Sequence, residues 1–284
     1  MNLLCAQGLP GADGLNLNAC LAQLDEMAAR VRSETRRHLY RFQKNPAEFE
    51  NSEGFFRMVM LAVVLAEDFG VRYAPGKMGT AAEARMGDGF FADAQDVFLQ
   101  GLLGRRTSSP SPNPEERVTA AEGRLPLARG TCSYLPVLQV AVGRRLGYPL
   151  KLVTTKGHLF VRWEDAQERF NIEAAGQGVN RFTDDYYRHW PLEVTPAEEA
   201  AEGYLKSLTP PEELAVFLSI RGMCLREAGR LPEAAEAFAA AARFAPACRG
   251  YQVMLASLRT RGASVPSGSP HTERTTANDA KINL

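Results

Sequence analysis

The chain has 284 residues, with 33 Lys plus Arg against 33 Asp plus Glu and a formal net charge of zero. That length can bury a full core in one large or two small domains, and the balanced charge gives no electrostatic reason to expect a nucleic acid or an anionic membrane as partner. No run approaches the roughly eighteen apolar residues of a membrane span, and the start MNLLCAQGLPGADG lacks the basic region and apolar run of a secretory signal.

Residues 1–14 read as a loose arm. Asn16 or Asn18 can cap a long helix that runs to Asn45-Pro46, with Leu21, Leu24, Met27, Ala28 and Val31 as its apolar stripe. Arg36, Arg37, His38 and Arg41 read as a solvated basic face at its far end. Ser52 and Glu53 open a second helix. Its body, FFRMVMLAVVLAEDF at 55–69, is apolar nearly all round and belongs in the middle of a helical layer, and Gly70 ends it. Residues 71–76 read as an extended exit and 77–89 as a loop. Phe90, Phe91 and 94–103 read as helical again, with Val97, Phe98 and Leu102 as apolar positions. The stretch 104–129 contains RRTSSPSPNPEER and is polar and proline-rich. It is too long for an ordinary connection and reads as a flexible loop, either a flap beside the next segment or a disordered insertion.

Residues 130–173 organise the rest. Gly130 and Thr131 supply turn chemistry, and Thr131 or Ser133 can cap a helix carrying Pro136 in its first turn. Leu135, Leu138, Val142 and Leu146 form a wide apolar face, Arg144 and Arg145 suit the negative end of the helix dipole, and Gly147 stops it. Cys132 therefore stands at the positive end of a buried helix. That position favours the thiolate and places backbone N–H groups where an oxyanion would form. Residues 150–155 form a strand, Lys156-Gly157 a turn, and 158–164 a second strand with His158, Phe160 and Arg162 on one face. Residues 169–174 form a third, with Arg169, Asn171 and Glu173 on one face. A hairpin with Asp165-Ala166 at its tip pairs residues whose numbers sum to 331 and sets His158 opposite Glu173. A register shifted by two sets Asn171 there instead. Cys132, His158 and either Glu173 or Asn171 are the groups a thiol nucleophile, its base and the orienter of that base require. Ser133 and Gln100 are candidates for the oxyanion.

Gly-Thr-Cys at a helix start, Gly-His at a strand start and an acidic residue closing the next strand resemble the transglutaminase-like superfamily of papain-like cysteine-nucleophile folds. The likeness covers residues 95–192 and is nearest to a bacterial branch in which the core precedes tetratricopeptide-like helices. It implies Cys132 as nucleophile, His158 as base and Glu173 as third member. The family usually carries aspartate there, often before Pro-Thr or Ala-Thr, whereas this chain reads Asn171-Ile172-Glu173-Ala174-Ala175.

Beyond the core, 174–179 reads as a turn near the site. Residues 182–190, with Asp184, Asp185, Tyr186, Tyr187 and His189, read as a cleft lining or a plain amphipathic helix. Thr195-Pro196 opens a helix to Leu208, and Thr209-Pro210 opens the next. Residues 215–246 resemble one tetratricopeptide repeat, with Gly222, Leu225, Gly229, Ala234, Phe238, Ala241 and Pro246 in pattern. Small residues at 222, 234 and 241 let two helices approach, and Phe238 fills the gap. Residues 261–284 are Ser/Thr/Gly/Pro-rich and read as a disordered tail. Five cysteines (Cys5, Cys20, Cys132, Cys224 and Cys248) form no CxxC pair and read as free thiols of a cytoplasmic protein. Four histidines without a Cys/His cluster give no reason to expect structural zinc.

The expected fold class is thus α+β: a helical N-terminal layer, a nucleophile helix on a small antiparallel sheet over 15–192, and a helical hairpin over 195–260. Two functions follow. One is a Cys-His-Glu enzyme that hydrolyses or transamidates a protein or peptide, with no metal or organic cofactor required. The other is an inert core whose repeat helices bind a protein partner. Neither takes a nucleic acid or a membrane.

Overall fold

The computed structural model describes residues 1–73, 89–103, 128–174 and 179–263, apart from the side chains of 128, 129 and 261–263. It is a mixed α+β structure with a three-stranded antiparallel sheet and a separate two-stranded parallel pair. No helix among the described residues is long and apolar enough to cross a membrane.

Helices α2 (Leu17–Lys44) and α3 (Glu53–Glu67) begin where local chemistry places them. Asn16 Oδ1 accepts from the Ala19 N–H at 3.0 Å, and Ser52 Oγ accepts from the Phe55 N–H at 2.8 Å. Each side chain satisfies a donor that the first helical turn leaves open. Strand β1 (Val71–Tyr73) leaves α3 and pairs in parallel with β2 (Ala128–Gly130), which leads into α4 (Leu135–Arg145). Strands β3 (Leu150–Thr155), β4 (His158–Glu164) and β5 (Arg169–Ile172) form the sheet in that order. Gly157, at φ +72°, makes the β3–β4 turn in the left-handed region that favours glycine.

Both sheet faces are covered. Leu150, Leu152, Leu159, Val161 and Ile172 share a core with Leu135, Leu138 and Val142 of α4 and with Leu61 of α3. On the other face Val153 and Phe160 pack with Leu205 and with Tyr187 of α5 (Asp184–His189). Helix α6 (Pro196–Glu202) follows, then α7 (Pro210–Glu227), α8 (Leu231–Phe244) and α9 (Arg249–Ala263). In α7 and α8, an added Cβ at Gly222 would lie 2.8 Å from Phe238 Cε2, so the ring occupies the space that the glycine leaves.

Several expectations are corrected. The arm 1–14 is not loose: it forms α1 (Asn2–Ala6), and Leu3, Cys5, Ala6, Leu9 and Ala12 are buried. Its partners are remote in sequence, which hides them from local reading. Arg221 Nη1 donates to the carbonyls of Cys5 at 2.9 Å and Gln7 at 2.7 Å, and Arg230 Nη1 to that of Gly8 at 2.6 Å. The stretch 94–103 is not a regular helix but two 3₁₀ turns, Ala94–Asp96 and Leu99–Gly101. There Gly101 sits against the Gln95 backbone so closely that an added Cβ would lie 1.8 Å from its carbonyl oxygen.

The β4–β5 hairpin pairs Arg162 with Asn171 and Glu164 with Arg169, so paired numbers sum to 333 rather than 331. Asp165 causes the shift. Its Oδ1 accepts from the Gln167 and Glu168 N–H groups at 2.7 and 2.8 Å, which makes it the first residue of the turn and Ala166-Gln167 the tip. The helix from Pro196 ends at Gly203, in left-handed conformation, rather than at Leu208. The chain then runs along β3, with the Leu205 and Leu208 N–H groups donating to Thr154 and Leu152 carbonyls at 2.9 Å, and so covers the sheet edge. Helix α9 continues to Ala263, past the expected boundary at 260. The flap reading of 104–129, all but its last two residues, the turn at 175–178 and the tail from 264 lie outside the described residues.

Candidate active site

Cys132 lies in the turn before α4, and helical geometry begins only at Leu135. The turn is closed by the Leu135 N–H donating to the Thr131 carbonyl at 3.0 Å. Thr131 is held on two sides: its hydroxyl donates to the Asp96 carbonyl at 2.8 Å and accepts from the Ser133 N–H at 3.3 Å. Thr131 therefore fixes the turn, while the N-cap position itself falls to Tyr134, whose side chain makes no cap bond. Cys132 is 3% exposed.

His158 opens β4, paired with Thr155 across the glycine turn. Glu173 follows β5, and its N–H donates to the Asn180 carbonyl at 2.9 Å. The observed register makes His158 and Glu173 diagonal neighbours on one face rather than direct partners, and the longer glutamate spans that diagonal. His158 Nε2 and Glu173 Oε2 stand 2.8 Å apart, with the imidazole side chain 0% and the carboxylate side chain 6% exposed. The Cys132 thiol interacts with the same imidazole. With Nε2 on Glu173, Nδ1 is the ring nitrogen left to the thiol.

Burial alone would depress the His158 pKa, but the hydrogen bonds and charges of Cys132 and Glu173 outweigh it and push it up to about 9. The imidazolium is thus favoured at neutral pH, which suits a thiolate–imidazolium pair. The other four cysteines are held as thiols: burial pushes Cys224 up to about 12 and Cys248 to about 11, and raises Cys5 and Cys20.

Asn171, the alternative third member, is not at the imidazole. Its Oδ1 accepts from Arg162 Nε at 2.7 Å, and its Nδ2 donates to the Phe182 carbonyl and to Asp184 Oδ1. Arg162, 1% exposed, also donates to Asp184 Oδ1 at 2.6 Å and to the Leu205 carbonyl at 3.0 Å. This network ties β4, β5, α5 and the 205–208 segment together behind the site. Gln100 also serves elsewhere: its Nε2 donates to the Gly11 carbonyl at 3.3 Å, and it lines a cavity of 680 Å³ with Gly11, Asn16 and Cys20. His189 is 61% exposed along its side chain and interacts through Nδ1 with the Asp185 carbonyl. Ser133 remains beside Cys132, half-buried.

Two site residues escaped sequence reasoning in their roles. Trp190 packs edge-on against His158 with ring centroids 4.7 Å apart, and the Tyr187 hydroxyl donates to Glu173 Oε2 at 3.1 Å. Their aromatic stretch was visible in the sequence, but which ring turns inward depends on the phase of α5. Among the described residues no His, Cys, Asp and Glu cluster could hold a metal ion. No protein-family model, curated protein or solved structure matches the chain.

Proposed function

We propose that this chain is a cysteine-dependent acyl-transfer enzyme, an amide or peptide hydrolase or transamidase of transglutaminase-like type. The observation that carries the reading is the line Cys132–His158–Glu173, in which thiol, imidazole and carboxylate interact in sequence within a buried site. The Cys132 thiolate attacks an amide or ester carbonyl, and His158, having taken the thiol proton, returns it to the leaving amine or alcohol. Water or an amine then displaces the thiol from the thioester and releases the acid or the new amide. Glu173 holds the imidazole in the tautomer and orientation this requires. The α4 helix on a three-stranded sheet and the closely packed α7–α8 pair support the transglutaminase-like and tetratricopeptide-like likenesses.

A second reading, an inert core used for binding, draws on the 3% exposure of Cys132. Against it, Arg221 and Arg230 of the hairpin already hold the chain's own residues 5–8, which leaves less of that surface for a foreign peptide.

The deciding experiment is the iodoacetamide alkylation rate of each cysteine across pH 4–9, in wild type and His158→Ala. Cys132 is expected to react fastest at pH 6, well below the free-thiol pKa of about 8.5, and to lose that advantage in the variant. Reaction of Cys132 no faster than Cys224 or Cys248, unchanged in the variant, would sink the enzyme reading.

A further inference from the structure

The oxygen of Glu173 that meets His158 has a second donor. Oε2 stands 2.8 Å from His158 Nε2 and accepts from the Tyr187 hydroxyl at 3.1 Å. We propose that Tyr187 is a positioning residue of this site, whose hydroxyl aims the Glu173 carboxylate at His158. The consequence for catalysis rests on the acyl-transfer reading; the positioning itself does not.

Three features make Tyr187 fit for this. First, the ring is immobilised. Tyr187 is 0% exposed and stacks on Phe160 with centroids 3.8 Å apart and planes 1° from parallel. Its backbone is fixed as well, because its carbonyl accepts from Thr155 Oγ1 at 2.8 Å, next to the turn that carries His158. The hydroxyl is therefore held in register with the imidazole by the same hairpin. Second, a glutamate side chain turns about several bonds, and an unpinned one would lose the imidazole in most of its rotamers. A second donor on Oε2 selects the rotamer that reaches. Third, the phenol keeps its proton and so stays a donor to the carboxylate. Burial and the charge of Glu173 hold its pKa far above the ordinary range.

The charged and titratable groups around His158, Glu173 and Tyr187 come from several elements. Cys132 lies before α4, His158 and Arg162 on β4, and Tyr186 and Tyr187 on α5. Arg162 is paired with Asp184 and Asn171 and stays in that network. Tyr187 is the group among them with a described hydroxyl bond to the carboxylate.

The test is an NMR titration of the His158 ring in the full chain, ¹³C-labelled at histidine and assigned with His158→Gln. It compares wild type, Tyr187→Phe, Glu173→Gln and the double variant, each verified as folded by urea titration. Tyr187→Phe removes one oxygen and leaves the stacked ring. It is expected to lower the His158 midpoint by on the order of one pH unit, a tenfold change in the protonated-to-neutral ratio at fixed pH. In the Glu173→Gln background the same change is expected to have no further effect, because Tyr187 acts through the carboxylate. An unchanged or raised midpoint in Tyr187→Phe would overturn the proposal. So would an equal shift in the Glu173→Gln background, which is what a merely structural ring would produce. The readout is ring protonation rather than turnover, so inert Cys132 chemistry would remove the enzyme reading and leave this result standing.

Discussion

Glu173 reaches His158 from a diagonal position, and its hydrogen bond and charge help to raise the pKa of the ring. Glu173→Gln keeps the shape and removes the charge, leaving burial as the largest influence on the ring, opposed by Cys132. The His158 midpoint is expected to fall from about 9 toward 6.5 or below. Cys132 alkylation at pH 6 is expected to slow by about tenfold or more. The sign of the accompanying stability change follows from the same shift. The folded-state pKa lies above the unfolded value, so the contribution of His158 is complete below about 6.5 and is lost as pH rises through about 9. Urea titrations should therefore show wild type exceeding Glu173→Gln by more at pH 6 than at pH 9.5, by on the order of 2 kcal/mol. An equal gap at both pH values would mean that the carboxylate does not hold the imidazole proton.

At the scale of elements, the α7–α8 contact makes a prediction whose sign depends on one ring. An alanine at Gly222 gains about 1 kcal/mol of helix propensity. Its Cβ would lie 2.8 and 2.9 Å from Cε2 and Cζ of Phe238, which is 1% exposed and has little room to retreat. Overpacking of that kind costs about 1–3 kcal/mol, so Gly222→Ala is expected to destabilise the wild type. Phe238→Ala should cost about 3–5 kcal/mol by itself. In that background Gly222→Ala should stabilise, because the clash is gone and the propensity remains. Urea midpoints of the four proteins check this, and a destabilisation of the same size in both backgrounds would refute the contact. This element was legible because the pattern 222, 234, 238, 241 is local and periodic. The helix starts at Asn16 and Ser52 and the β3–β4 hairpin were legible for the same reason: a side-chain oxygen or a turn glycine acts within three or four residues. Cys132, His158 and Glu173 stood out through their places at element ends. The β4–β5 register did not, because a two-residue shift turned on whether Asp165 or Glu164 began the turn, and both are acidic. The pairing of β1 with β2 joins three-residue segments 57 positions apart, as in Val71 with Ala128, and no local signal announces it. The Tyr187 contact was hidden for a related reason: its partner Glu173 follows β5, on another part of the chain.

Across the whole molecule, the first twelve residues connect regions that sequence reasoning kept apart. On one side, Arg221 of α7 and Arg230 before α8 hold the carbonyls of Cys5, Gln7 and Gly8. On the other, Asn2 Oδ1 accepts from the Leu99 N–H at 3.0 Å, and the Pro10 carbonyl accepts from the Ala94 N–H at 2.9 Å. The same 3₁₀ segment presents the Asp96 carbonyl to Thr131, the residue before Cys132. The helical hairpin thus reaches the cysteine turn through the N-terminal arm, and deleting residues 1–9 should be felt at both ends. Leu3 and Leu9 are 7% and 2% exposed, and burial of each is worth roughly 1.5–3 kcal/mol. The deletion should therefore cost about 3–6 kcal/mol in urea. Backbone amides of Ser133, Tyr134 and Leu135 should exchange with deuterium faster than in wild type, since the 94–101 segment that supports Thr131 loses its brace at Leu99. Adding a synthetic peptide of residues 1–12 to the shortened chain should restore both stability and protection by mass action. If stability falls while the amides at 133–135 keep their protection, the arm only anchors the hairpin and carries nothing to the cysteine. If protection falls and the peptide restores it, the occupancy of the hairpin face sets the rigidity of the turn that holds Cys132.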